Sequence, residues 1–185
     1  KTLVYVNHFH FFHLEFRKII RDISNKKISQ IRMYDGDSGP FRKSFSSLWD
    51  WGSHGLGIYS YFFPEIPEKI EVNQINKTSI GEIFKIEFFI KNKQIFKLIC
   101  GNAFKEKRRE IIIDFEGNNQ SINFDIANYK NLKKFPMELM LEEFYNDIID
   151  RKKSNMTLDI ATKTIELTNL IELTLKKDEH KYKSH

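Results

Sequence analysis

Cysteine is almost missing from this 185-residue chain, with Cys100 as its only representative. A lone thiol excludes an internal disulfide framework and a cysteine-ligated zinc site. It fits a reducing compartment, and a cytoplasmic location is expected. Long hydrophobic runs are missing as well: no stretch approaches the ~18 residues that a membrane span needs. The opening residues read as a strand and not as a signal peptide. No dinucleotide fingerprint occurs, because Gly52, Gly55 and Gly57 are in the wrong order for G-x-G-x-x-G and follow no predicted strand. A P-loop is likewise absent. Ser53, His54 and Asp50 lie close together without the strained elbow that activates a hydrolase nucleophile. Charge of one sign is not concentrated. The net charge is +5, and the Lys and Arg residues are scattered over turns and element ends. That is a solvated surface and not a nucleic-acid stripe, so no nucleic-acid or membrane partner is expected.

Aromatic residues are plentiful, at 14% with 17 Phe, and a core built on rings is expected. Alternation predicts a strand over residues 2–9, and helical spacing of Phe12, Phe16, Ile19, Ile20 and Ile23 predicts a helix over 11–23. A strand over 28–34 and a Gly/Pro-containing loop over 35–46 follow, then a helix to about Phe62. Period-two patterns predict strands at 69–75, 81–91, 94–103, 107–115 and 121–126, with Asn92-Lys93 as a tight turn and residues 117–120 as another connection. Imperfect alternation within 83–90 predicts a sheet whose second face is partly apolar and available for subunit contact. Two helices close the chain. In the first, opened by Pro136, the inward residues are Leu139, Leu141, Phe144, Tyr145, Ile148 and Ile149. The second runs from Thr157 to about Lys176 on a stripe of Ile160, Ile165, Leu167, Leu170, Ile171 and Leu175. No repeat interrupts the pattern. The expected fold is one α+β domain over 1–185, a large, mainly antiparallel open sheet with helices on one face.

The stretch from Ser46 to Gly57 carries the chemistry. Ser47 is a candidate N-cap with Asp50 as the acidic half of a capping box. Asp50 and His54, four apart, would share a helix face. Three glycines in six residues weaken a helix by roughly 1 kcal/mol each. They imply close approach by a backbone, a side chain or a ligand. His8, His10 and His13 form a second cluster. His8 and His10 on one strand face would make two metal ligands. The alternative is that His8 ends a strand at a site while His10 and His13 belong to the loop and helix beyond it. Without a Cys or carboxylate at ligand spacing, no metal is expected.

Gly39-Pro40-x-Arg42 followed by Leu48-x-Asp50-x-Gly52-x-His54 resembles the C-terminal half of the glucose–fructose oxidoreductase / inositol dehydrogenase family. Val6-x-His8-x-x-x-Phe12-x-x-x-x-Arg17 is similar to the segment opening that half, and Pro136-Met137, Phe144 and the final helices to its end. The family comprises NAD(P)-dependent sugar and cyclitol dehydrogenases. The resemblance implies that His54 is the acid/base at the reacting carbinol, that Asp50 orients it or binds a hydroxyl, and that His8, Asn7 and Arg42 bind substrate. Trp49 and Trp51 would wall the pocket or pack. The family's N-terminal Rossmann domain, with its glycine fingerprint and Glu-Lys-Pro motif, has no counterpart here; Glu68-Lys69 is followed by Ile70. The resemblance therefore implies a substrate-side domain with no cofactor-binding residues of its own, preceded by a segment missing from this chain. NAD or NADP would be bound in the longer parent, and a homo-oligomer would form through the sheet face. The competing expectation is a non-catalytic dimerisation or ligand-sensing module.

Overall fold

Alternating β-branched and aromatic residues extend into six strands. The computed structural model describes residues 3–42, 44–117, 120–129, 132–150 and 156–183, without side chains at 156 and 178–183. The strands are β1 (Ile28–Ser38), β2 (Lys69–Lys77), β3 (Glu82–Ile90), β4 (Lys93–Gly101), β5 (Ala103–Phe115) and β6 (Ser121–Asp125). They form one sheet in the order β2-β3-β4-β1-β5-β6. Every neighbouring pair is antiparallel except β1 with β4. A parallel pair needs a long crossover. Here it contains helix α2 (Ser53–Phe62) and the β2–β3 hairpin.

One sheet face buries Ile31, Met33, Ile86, Phe88, Leu98 and Ile111. The helices lie on this side: α1 (Leu14–Asp22), α2, α3 (Pro136–Ile149) and α4 (Met156–Lys183). Rings join the layers, as expected from the composition. Tyr59 of α2 stands edge-on to Phe88 at 4.7 Å, and Phe16 of α1 stacks on Phe124 of β6 at 5.4 Å. The opposite face mixes Tyr34, Ile99 and Ile112 with ion pairs such as Arg32–Asp114, Lys85–Glu87 and Lys97–Glu87. Among the described residues no helix is long and apolar enough to cross a membrane. The α+β class and the helices on one face agree with the sequence reading.

Several local expectations are corrected. Residues 3–8 form no strand, and Phe9–Phe12 is a 3-10 turn; Lys1 and Thr2 lie outside the described residues. His10, Phe11, Phe12 and His13 are all buried in succession. A strand with one covered face would bury only every second residue. β1 continues through Asp35 to Ser38, where a loop was expected. At Asp35 the backbone is held on both sides, opposite Cys100 and Arg109, and ladder pairing overrides the turn preference of Asp and Gly. The β3–β4 turn is Lys91-Asn92, both at positive φ, one residue earlier than predicted. The 117–120 connection includes residues 118 and 119, which lie outside the described residues. In α3, Leu141, Tyr145, Ile148 and Ile149 are exposed; Ile165 of α4 is exposed too, and α4 runs on to Lys183.

Gly101 ends β4 at φ 151°, where a Cβ would overlap the carbonyl oxygen of Glu82. Gly101→Ala must separate β3 from β4 and should cost about 2–3 kcal/mol. A urea midpoint equal to that of the unsubstituted protein would show that the edge of the sheet relaxes freely.

Candidate functional site

The helix bearing His54 starts one residue earlier than its sequence suggests. Ser46 is the cap: its Oγ accepts the Leu48 N–H at 3.2 Å, and its carbonyl accepts the Trp49 N–H at 3.0 Å. Ser47 is already helical and donates its hydroxyl to the Glu82 carbonyl. Leu48–Gly52 then forms a π-helical turn. Such turns are frequent at functional sites. Asp50 lies within this turn, and His54 lies one residue into α2. The glycines have protein neighbours. A Cβ on Gly55 would meet the Leu98 methyls at 2.5 and 2.7 Å, and one on Gly57 would stand 3.1 Å from His8 Nδ1. They let α2 lie close on β4 and make room for an imidazole. The space beside these two glycines is taken by protein side chains.

His54 is partly exposed. Its ring is met edge-on by Phe9 and by His10, each at a centroid distance of 5.2 Å. Beneath His10 lies Asp35, fully buried, with Oδ2 3.7 Å from His10 Nε2. Arg109 Nε donates to Asp35 Oδ1 at 2.6 Å. The guanidinium also lies 5.4 Å from the Phe9 ring and 5.3 Å from the Trp51 ring. Burial pushes the His54 imidazole down to about 4; the charge of His10 adds to this, while Asp35 and Asp50 oppose it. Burial, with the charge of His54, brings His8 to about 4 as well. Burial also lowers His10, against the pull of Asp35. For Asp35, burial acts upward, but the neighbouring His10 and Arg109 outweigh it and hold the carboxyl below the usual range. At neutral pH the site is a cluster of uncharged imidazoles over one ionised carboxylate. A neutral imidazole with an open edge can accept a proton from an alcohol.

The sequence-selected residues divide. His8 and His54 are brought together, since His8 packs on Gly57 of the same helix and its charge couples to His54. Asp50 receives Arg42 Nη1, so these two form a partly exposed ion pair. Among the described residues His54 makes no hydrogen bond to Asp50. Asn7 is exposed. Trp49 donates its indole N–H to Glu172 Oε1 at 2.7 Å, whereas Trp51 Nε1 is buried without a partner among the described residues. Sequence reasoning passed over His10, Asp35 and Arg109. His10 was in view as a possible ligand, but Asp35 read as loop and Arg109 as one cation in a basic run. Only the β1–β5 register joins those two. Among the described residues no group of three or more His, Cys, Asp or Glu has metal-holding geometry.

Neither a family model nor a curated protein matches the sequence. Solved structures do match the fold. UDP-N-acetylglucosamine 3-dehydrogenase from Acidithiobacillus ferrooxidans superposes with a TM-score of 0.77 at 12% identity, over 92% of this chain and 61% of that one. Scyllo-inositol dehydrogenase from Lactobacillus casei gives 0.69 at 15% identity, over 93% and 61%. A dehydrogenase from Chromobacterium violaceum gives 0.71 at 9% identity, over 99% and 65%. The chain is thus similar in fold to one part of several oxidoreductases and spans less than two thirds of their length. At these identities the likeness is one of fold.

Proposed function

We propose that this chain is the substrate-binding and catalytic C-terminal domain of an NAD(P)-dependent oxidoreductase of the glucose–fructose oxidoreductase type. Its substrate would be a sugar, nucleotide sugar or cyclitol hydroxyl. The observation that supports this reading is the placement of His54, a partly exposed imidazole at the start of α2 with His8 and His10 beside it, in a fold shared over most of the chain with sugar and inositol dehydrogenases. His54 takes the hydroxyl proton as the carbinol carbon is oxidised. His8 lines the same helix, and the partly exposed Arg42–Asp50 pair offers a donor and an acceptor to sugar hydroxyls. The dinucleotide belongs to a domain outside this chain, and the chain alone is inactive. The partly apolar outer sheet face is the surface through which copies would pair.

The test is His54→Ala in the complete native protein, assayed against candidate polyols with NAD and NADP. The rate constant kcat should fall ~10²-fold or more, with a smaller change in KM. Unchanged turnover would remove His54 from the chemistry. A complete protein with no dehydrogenase activity toward any polyol would favour the dimerisation or ligand-sensing reading.

A further inference from the structure

Among the described residues, polar atoms of two buried groups beneath His54 lack hydrogen-bond partners, and the two groups face each other. Asp35 is 0% exposed and His10 is 2% exposed. One carboxylate oxygen of Asp35 is taken by Arg109, while Oδ2 has no hydrogen bond. Both ring nitrogens of His10 are unbonded. A buried donor or acceptor left without a hydrogen bond is destabilising. The gap between His10 Nε2 and Asp35 Oδ2 is 3.7 Å, so an approach of roughly 0.8 Å closes a hydrogen bond.

We propose that Arg109, Asp35 and His10 form a buried positioning relay for His54, in which Asp35, held ionised by Arg109, accepts the Nε2–H of His10. That bond fixes the tautomer, leaving His10 Nδ1 bare, and locks the ring that stands edge-on to His54. The relay then does two things. It holds the His54 imidazole in place, and it turns the negative end of the Arg109–Asp35 pair toward the ring when the ring accepts a proton. A structural Arg–Asp pair alone would not account for an imidazole set between that pair and His54 with both nitrogens free. The inference rests on the proposed role of His54, but its test does not.

The charges facing His54 come from every element around it. They are Asp50, tied to Arg42, on its own helix; His8 and His10 from the segment before α1; Asp35 from β1; and Arg109 from β5. From α4, Glu172 is held by Trp49 and Lys163 by the Phe63 carbonyl. Cys100, beside Asp35 on β4, has its thiol pushed well up by burial and by the Asp35 charge, so it stays neutral. Asp35 and Arg109 are therefore the opposed pair that sets the field behind the ring.

Nitrogen-15 NMR of the histidine rings tests this in the labelled protein, without any enzymatic assay. At pH 7, His10 should be the Nε2–H tautomer. Asp35→Asn should lower the His54 titration and Arg109→Gln should raise it, each by about 0.5–1 pH unit, while Arg109→Lys leaves it in place. The opposite His10 tautomer, or variants that move His54 in the same direction or not at all, overturns the relay. The tautomer is read in the unsubstituted protein, so the proposal remains testable if a variant does not fold. A His54→Ala enzyme with full turnover would end the dehydrogenase reading and leave these NMR results as they are.

Discussion

Lowering the pH from 7 to 4 should remove about 5 kcal/mol of folding free energy. Two imidazoles give that figure, and His10, which burial also lowers, adds to the fall. His8 and His54 titrate at about 4 in the folded protein, against 6.5 for the ordinary side chain. Each is worth roughly 3 kcal/mol. Their mutual repulsion enters both shifts, so the pair contributes somewhat less than twice one. The sign follows from proton uptake. Between pH 6.5 and about 4 the unfolded chain binds protons that the folded chain refuses, so stability falls as the pH falls. Below about 4 both states are protonated, and these groups add no further loss. Asp35 has the opposite kind of shift, and its contribution goes only at still lower pH. Urea midpoints at pH 7, 6, 5 and 4 measure the slope. His54→Gln, which does not titrate, should reduce the total fall by about 2–3 kcal/mol. Equal midpoints at pH 7 and pH 5 would mean that the imidazoles are solvated in the folded state.

This acid sensitivity was only partly legible in the sequence. The cluster Asn7-His8-Phe9-His10 was visible, but a strand reading put alternate residues on opposite faces. The 3-10 turn at Phe9–Phe12 instead turns His10, Phe11 and Phe12 inward one after another. The residues that drive the turn are the phenylalanines, whose burial is worth more than strand geometry at the edge of the chain. The strands from Lys69 to Asp125 were readable because each has one buried face, and a period of two records that directly. Asp35 was not readable. A charged residue next to two glycine-containing turns is ordinarily loop. Nothing in its own neighbourhood says that Arg109, far along the chain, will stand opposite it. Long-range register is the information that local pattern lacks.

The same holds for the helices. His54 was correctly placed on a helix, and its glycines correctly implied close approach; Leu98 and His8 are the groups that approach. Asp50, expected to orient His54 or to bind a hydroxyl, makes no hydrogen bond to it among the described residues and receives Arg42 instead; its charge still reaches the imidazole. In α3 the apolar residues 141, 145, 148 and 149 repeat at helical spacing, as a core-facing stripe does, yet they are exposed. Periodicity reports that a face is apolar, and tertiary placement decides whether this chain covers it.

Asp35→Leu should destabilise the protein by about 3–5 kcal/mol, because it leaves the Arg109 guanidinium nearly buried with no counter-charge. Arg109→Met alone should cost a similar amount by stranding the carboxylate. The double substitution should recover most of the loss, since the leucine and methionine side chains can fill the space against Phe9 and Trp51 with no charge to desolvate. Urea midpoints of the four proteins give the coupling energy directly. If the double variant loses as much as the two single variants together, the pair is not an electrostatic unit and Arg109 acts through its contacts with the rings. The double variant also separates stability from positioning. It should fold, yet His10 would have no carboxylate to fix its tautomer, and the His54 ring would be held by packing alone. A protein of near-normal stability with a mixed His10 tautomer is the expected result. It would show that a buried ion pair kept here at little net benefit to stability is retained for the imidazole it orients.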